Sequence, residues 1–96
     1  MILEAFICHI KPGMENDYEA ALQDAVPLIS AMQGFRSIQL QRCLETTGQY
    51  LILIEWDTLE DHTVGFRGSA EYQEWRKRLH HFYEPFPTVD HYVQVF

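Results

Sequence analysis

The chain has 96 residues, 47% apolar and 14% aromatic, which is enough for one domain around a single modest core. Fourteen acidic residues against seven basic ones leave a formal charge of −7, the wrong sign for a phosphate backbone, so nucleic acid is not an expected partner. The opening MILEAFICHI is apolar but short and interrupted by Glu4, and it has neither a basic leader nor a cleavage site, so neither a membrane span nor a secretory signal is expected.

In chain order, LEAFICHI is rich in strand formers and stops at the turn signal KPG. From Met14 to Gln33 the spacing predicts a helix whose inner stripe is Tyr18, Ala21, Leu22, Ala25, Leu28, Ile29 and Met32, with Asp17, Ala20 and Asp24 opposite. Pro27 removes an amide on the outer side, where water can satisfy the freed carbonyl, so a kink is expected there, with Gly34 closing the helix. FRSIQLQRCLE alternates, with Ile38, Leu40 and Leu44 on one side and Ser37, Gln39 and Gln41 on the other. After a turn at TTGQ comes YLILIEWD, apolar on both faces until Glu55, the mark of a strand covered above and below. Asp57 or Thr58 caps a second helical region that Gly65 and Gly68 weaken. Ser69 restarts it as an N-cap with Glu71 in the first turn, and Pro85 and Pro87 end it before a last strand, TVDHYVQVF. Cys8 and Cys43 lie far apart without CxxC spacing, so free thiols in a reducing cytoplasm are expected.

The order βαββαβ implies an α+β, ferredoxin-like fold: an antiparallel four-stranded sheet with both helices on one face. Whether Tyr50, Ile52, Ile54 and Trp56 or their neighbours Leu51 and Leu53 face the helices is open at this level. Either way an apolar set is left on the bare face, and a second copy of the chain is the economical cover. A homodimer is therefore expected.

These residues resemble a known family. KPG after the first strand, QGF after the first helix, and YLILIEWD followed by TLEDHTVGFRGSAEYQEWR look like the antibiotic biosynthesis monooxygenase domain over nearly the whole chain. The resemblance implies a dimeric α/β barrel, in which two ferredoxin-like sheets pair face to face. It also implies oxygen chemistry without a bound cofactor or metal on quinols or polyketide phenols, or haem breakdown in one branch. That branch carries an Asn on the first strand, then a Trp and a His in the second helical region. Those places fall near Phe6, Phe66 and Arg76 here, and none matches.

On a helical wheel Leu59, His62, Thr63 and Phe66 share a face before the glycine break. After it Tyr72, Trp75, Leu79, Phe82 and Tyr83 form the inward stripe, with Arg76 and His80 at its margin and His81 pointing away. On the last strand His91 shares parity with Val89, Val93 and Val95, the expected buried side. His62 and His91 can then converge between helices and sheet as base and polariser, since imidazole accepts a proton near neutral pH. Phe66, Trp75, Phe82, Leu79, Trp56 and Arg76 are the candidate substrate contacts, although the two tryptophans suit a core equally well. Arg67 and Arg76 offer a grip on an anionic oxygen, but ion pairs with Glu71 and Glu74 are the expected use. His80 and His81 point about 100° apart on a helix and cannot chelate together. His9, near the end of the first strand, has no obvious partner, and no metal-ligand spacing occurs. The expected function is a monooxygenase acting on a small aromatic, quinol or polyketide-type substrate. The alternatives are an isomerase or cyclase using the same histidines, and a non-catalytic module that binds a small molecule.

Overall fold

The computed structural model describes all residues, 1–96. Strand β1 (Ile2–His9) leads into helix α1 (Glu15–Ser30), then strands β2 (Phe35–Arg42) and β3 (Gln49–Trp56). A π-helical segment (Asp61–Phe66) and helix α2 (Ala70–Leu79) precede the short strand β4 (Asp90–Tyr92). The sheet order is β2-β3-β1-β4 and every pairing is antiparallel, which is the ferredoxin-like arrangement. No helix is long and apolar enough to cross a membrane.

Residue parity decides which sheet face is covered. Tyr50, Ile52, Ile54 and Trp56 of β3 are buried, as are Glu4 and Cys8 of β1, so these positions face the helices. Helix α1 buries Tyr18, Leu22, Ala25 and Ile29, with Ala21, Leu28 and Met32 packed at the edge of the same cluster. Pro27 sits inside α1 on its exposed side. The opposite sheet face carries Leu3, Ile7, Leu51, Leu53 and Tyr92, and Ile7 and Tyr92 are 46% and 54% exposed in the single chain.

Several expectations need correcting. Leu44 does not extend the inner row of β2, because the strand stops at Arg42 and Leu44 is 91% exposed. Strand β4 has three residues, so Val93 and Val95 leave the sheet and lie in the open. Leu59 precedes the π-helical turn and is exposed, unlike His62 and Phe66 on the face assigned to all three. Phe82 and Tyr83 are buried but not by helix periodicity. Helix α2 ends at Leu79, and the chain behind β1 draws the next residues into an extended bridge: Lys11 N–H donates to Phe82 O, Glu84 N–H to His9 O, and Ile10 pairs with Tyr83.

The break in the second helical region is built by particular residues. Thr58 Oγ1 accepts from the Asp61 amide at 3.2 Å and starts the segment. The wide turn is closed by Arg67 N–H to His62 O, a bond five residues back. A Cβ at Gly68 would lie 2.7 Å from Val64 O, so only glycine lets the chain leave the turn. Ser69 then caps α2, its hydroxyl accepting from the Tyr72 amide at 3.1 Å. On the other side Gly34, at φ +83°, brings the α1–β2 turn onto Asp61, where any Cβ would clash.

Candidate functional site

The site begins with a charge inside an apolar strand. Glu4 shares the helix-facing side of β1 with Cys8 and is only 4% exposed. Register places its neighbours: Glu4 pairs with Ile54 on one side and His91 on the other, and Trp56 is the next inward residue along β3. Trp56 Nε1 donates to Glu4 Oε1 at 2.9 Å. Glu4 Oε2 lies 3.4 Å from His62 Nε2, and His62 Nδ1 lies 2.8 Å from His91 Nε2. Carboxylate, imidazole and imidazole therefore form one line from the core to the half-exposed β4. The Trp56 ring stacks on His62 at 5.5 Å between centroids and fixes the imidazole plane.

The two histidines expected to converge do so. His62 is delivered by the π-helical turn, whose extra residue per turn rotates it onto the sheet beside Phe66. His91 comes from the one stretch of β4 that pairs with β1. Both His62 nitrogens face protein partners, so the trio forms a chain and not a set of ligands converging on one point, and no cluster suited to a metal ion occurs.

Electrostatics follow from burial. Desolvation raises the Glu4 carboxyl to about 7, against smaller lowering effects from the Trp56 hydrogen bond and the nearby Arg67 charge. Desolvation lowers His62 to about 3, helped by Arg67 and His91. His91 is lowered by burial and Arg67, with Asp90 acting in the other direction, and His80 is lowered by burial and Arg76. Near neutral pH the imidazoles are uncharged while Glu4 is balanced between its two forms. A hydrogen-bonded line with one half-ionised end can take up and pass on a proton.

Beside this line lies a cavity of about 60 Å³ whose walls include Glu4, His62, Phe66, Arg67 and Trp75. Of the expected contacts, His62, Phe66 and Trp75 are on the walls, while His91 stands behind His62. Trp56 supports Glu4 and His62 from below. Leu79 and Phe82 belong to the main core, Phe82 packing edge-on against Tyr18, and neither reaches the cavity. Arg76 is exposed, 6.0 Å from the centre of the Tyr72 ring, and is not on the walls. The expected ion pairs of Arg67 and Arg76 with Glu71 and Glu74 are absent: Arg78 takes Glu74 from one helical turn away. Cys8, pushed up to about 12 by burial, is no nucleophile.

The profile of the family described as antibiotic biosynthesis monooxygenase matches residues 1–78. The chain belongs to that family. A Bacillus subtilis (strain 168) relative, the uncharacterized protein YczJ, is 55% identical over 95 residues, covering 99% of this chain and all of that protein. A Bordetella bronchiseptica crystal structure from the antibiotic biosynthesis monooxygenases superposes with a TM-score of 0.95 at 35% identity, covering 99% of this chain and 97% of that one. SnoaB of Streptomyces nogalater, described as a cofactor-independent oxygenase, shares the fold at a TM-score of 0.85 but only 9% identity, covering 99% of this chain and 93% of that one. Membership thus places the chain among proteins named for monooxygenase activity.

Proposed function

We propose that this protein is a monooxygenase that uses O2 without a bound cofactor on a small phenol or quinol, with Glu4, His62 and His91 handling the substrate proton. The supporting observation is the buried Glu4–His62–His91 line beside an aromatic cavity. A base balanced near neutral pH is suited to take a phenolic proton. The resulting phenolate is electron-rich enough to pass one electron to O2. Recombination forms a C–O bond at a ring carbon bearing hydrogen. Loss of that C–H as a proton, with cleavage of the O–O bond, leaves a ring carbonyl and releases water. One phenol and one O2 thus give one quinone and one water.

Phe66 and Trp75 hold the ring in this scheme, and Trp56 holds Glu4 and His62 in line. The cavity of about 60 Å³ is far below the roughly 300–1,000 Å³ of sites for drug-sized ligands, which favours a single ring over a fused polyketide. Phe86, 62% exposed in the irregular segment after α2, lines the same cavity and is the wall that gives way on entry. Oxygen uptake over a panel of phenols and quinols tests the reading. Glu4→Gln and His62→Ala are expected to lose about 10²- to 10⁴-fold in rate, and His91→Ala less. Wild type that consumes no O2 with any of them overturns it, and turnover persisting under nitrogen assigns an isomerase or cyclase instead.

The assembly belongs to the same proposal: a homodimer in the cytoplasm, paired through the bare sheet face. Leu3, Ile7, Leu51, Leu53 and Tyr92 form a contiguous apolar surface there, with Val93, Val95 and Phe96 exposed beside it. Sedimentation at micromolar concentration is expected to give twice the chain mass, and a stable monomer sinks the pairing.

A further inference from the structure

One charged wall residue has no part in that chemistry. Arg67 follows the π-helical segment and lines the cavity with Glu4 and His62. Arg36, Arg42 and Arg78 each hold a carboxylate, Asp57, Glu19 and Glu74 respectively, and Arg76 lies over Tyr72. Arg67 alone among the arginines has neither a carboxylate within 4.0 Å nor an aromatic partner, in a chain with twice as many acidic as basic residues. Arg67 is exposed as a whole but lines the cavity beside the buried Glu4 and His62, and a guanidinium without a protein partner there is a receptor for an anion.

We infer that the cavity takes its ligand as an oxyanion: a single-ring phenol or quinol, or an enol of similar acidity, whose oxygen pairs with Arg67 as its proton passes to Glu4. This deepens the proposed function and rests on its proton-accepting site. Charge conservation supports it. Before transfer Arg67 faces an ionised Glu4 and a neutral ligand, and afterwards a neutral Glu4 and an ionised ligand. The negative charge moves across the cavity while the same cation stays beside it, so no unpaired charge is created where the dielectric is low. The other titratable groups around the cavity are His62 from the π-helical segment, Tyr72 of α2, and His80 and Tyr83 beyond it, with His91 of β4 behind His62. Burial keeps the three imidazoles from carrying charge, so Arg67 is the full positive charge available to the ligand.

The test uses 4-nitrophenol, whose phenolate is coloured and whose phenol is not, with the whole protein and no turnover. Bound to wild type, the dye is expected to ionise at lower pH than free dye. Arg67→Gln should weaken phenolate binding about tenfold, the size of one charge-assisted hydrogen bond, and return the ionisation towards that of free dye. Arg67→Lys should keep part of the effect, and Lys77→Gln, on the exposed side of α2, all of it. Equal phenolate binding by wild type and Arg67→Gln overturns the inference, as does wild type that binds only the neutral phenol or no dye at all. The reading involves no O2, so a protein that binds phenolate through Arg67 but never consumes oxygen sinks the oxygenase proposal alone. Oxygen uptake unchanged in Arg67→Gln, with equal dye binding, sinks this inference alone.

Discussion

Two carboxylates, one towards each end of β3, meet the same kind of partner and end in opposite states. Glu19 of α1 accepts a hydrogen bond from the Tyr50 hydroxyl, and Glu4 of β1 accepts one from the Trp56 indole. Tyr50 and Trp56 lie on the same face of one strand, about 20 Å apart at the usual rise per residue. Glu19 is partly in water and also holds Arg42, and its pKa is lowered, first by the Tyr50 hydrogen bond and then by Arg42. Glu4 is buried, has no cation in contact, and is raised to about 7 by desolvation. An aromatic donor lowers both carboxylates, but it prevails only where desolvation is small, as at Glu19, and is overridden where burial dominates, as at Glu4. The Glu19 end is a fastening at the rim of the core; the Glu4 end is kept titratable beside a cavity.

The largest way to break this comparison is to remove the titration of Glu4. A carboxyl raised from 4.5 in the unfolded chain to about 7 in the fold binds its proton more tightly when folded. Its stabilising contribution is complete below 4.5 and is lost as pH rises to about 7. At about 1.4 kcal/mol per pH unit that is about 3 kcal/mol. His62, lowered from 6.5 to about 3, runs the other way: its contribution is complete above 6.5 and is lost as pH falls towards 3. The two slopes offset each other between 4.5 and 6.5, so wild type should show a plateau there and lose stability on both sides. Glu4→Gln keeps an acceptor for Trp56 and has nothing to ionise. Denaturant melts should show it gaining on wild type by about 3 kcal/mol between pH 4.5 and neutrality, with the acid limb unchanged. Parallel curves for the two proteins across that range would mean that Glu4 does not hold its proton in the fold.

The fold was legible because its signals are periodic. The stripe from Tyr18 to Ile29 and the alternation in FRSIQLQ each repeat several times, and each element can bury its apolar side in only one way. The site was legible in part. His62 and His91 stand out as imidazoles on inward positions, and they meet at 2.8 Å. Glu4 was missed because a single acidic residue in a strand reads as an interruption, and nothing local tells whether it points at water. The signal was its parity with Phe6 and Cys8, which puts the charge on the same side as the core. Arg76 and Phe82 were misplaced for a different reason. The wheel restarted at Ser69 puts Trp75 and Leu79 inward, as they are, but Arg76 at its margin turns to solvent. The backbone bonds to His9 and Lys11 take the chain out of the helix after Leu79. Those bonds are tertiary, and no local pattern encodes them.

The smaller test is made at the Glu19 end. Tyr50→Phe keeps the ring against Tyr18 and removes only the hydroxyl, which the fold holds protonated because burial and then Glu19 raise its pKa. Glu19 keeps Arg42 and water, so no buried group is left without a partner, and the loss at neutral pH should be about 1 kcal/mol. The sign of the pH effect is the opposite of that for Glu4. A lowered carboxylate stabilises the fold above its unfolded pKa, and that contribution is lost as pH falls through the folded value. Without the Tyr50 hydroxyl the Glu19 pKa moves up towards normal, so Tyr50→Phe should lose less stability than wild type on acidification. His62 titrates in both proteins alike, and their difference isolates Glu19. A Tyr50→Phe protein that stays below wild type by the same margin from neutral pH into acid would show that the hydroxyl does not set the charge of Glu19, and the contrast between the two ends of β3 would reduce to burial alone.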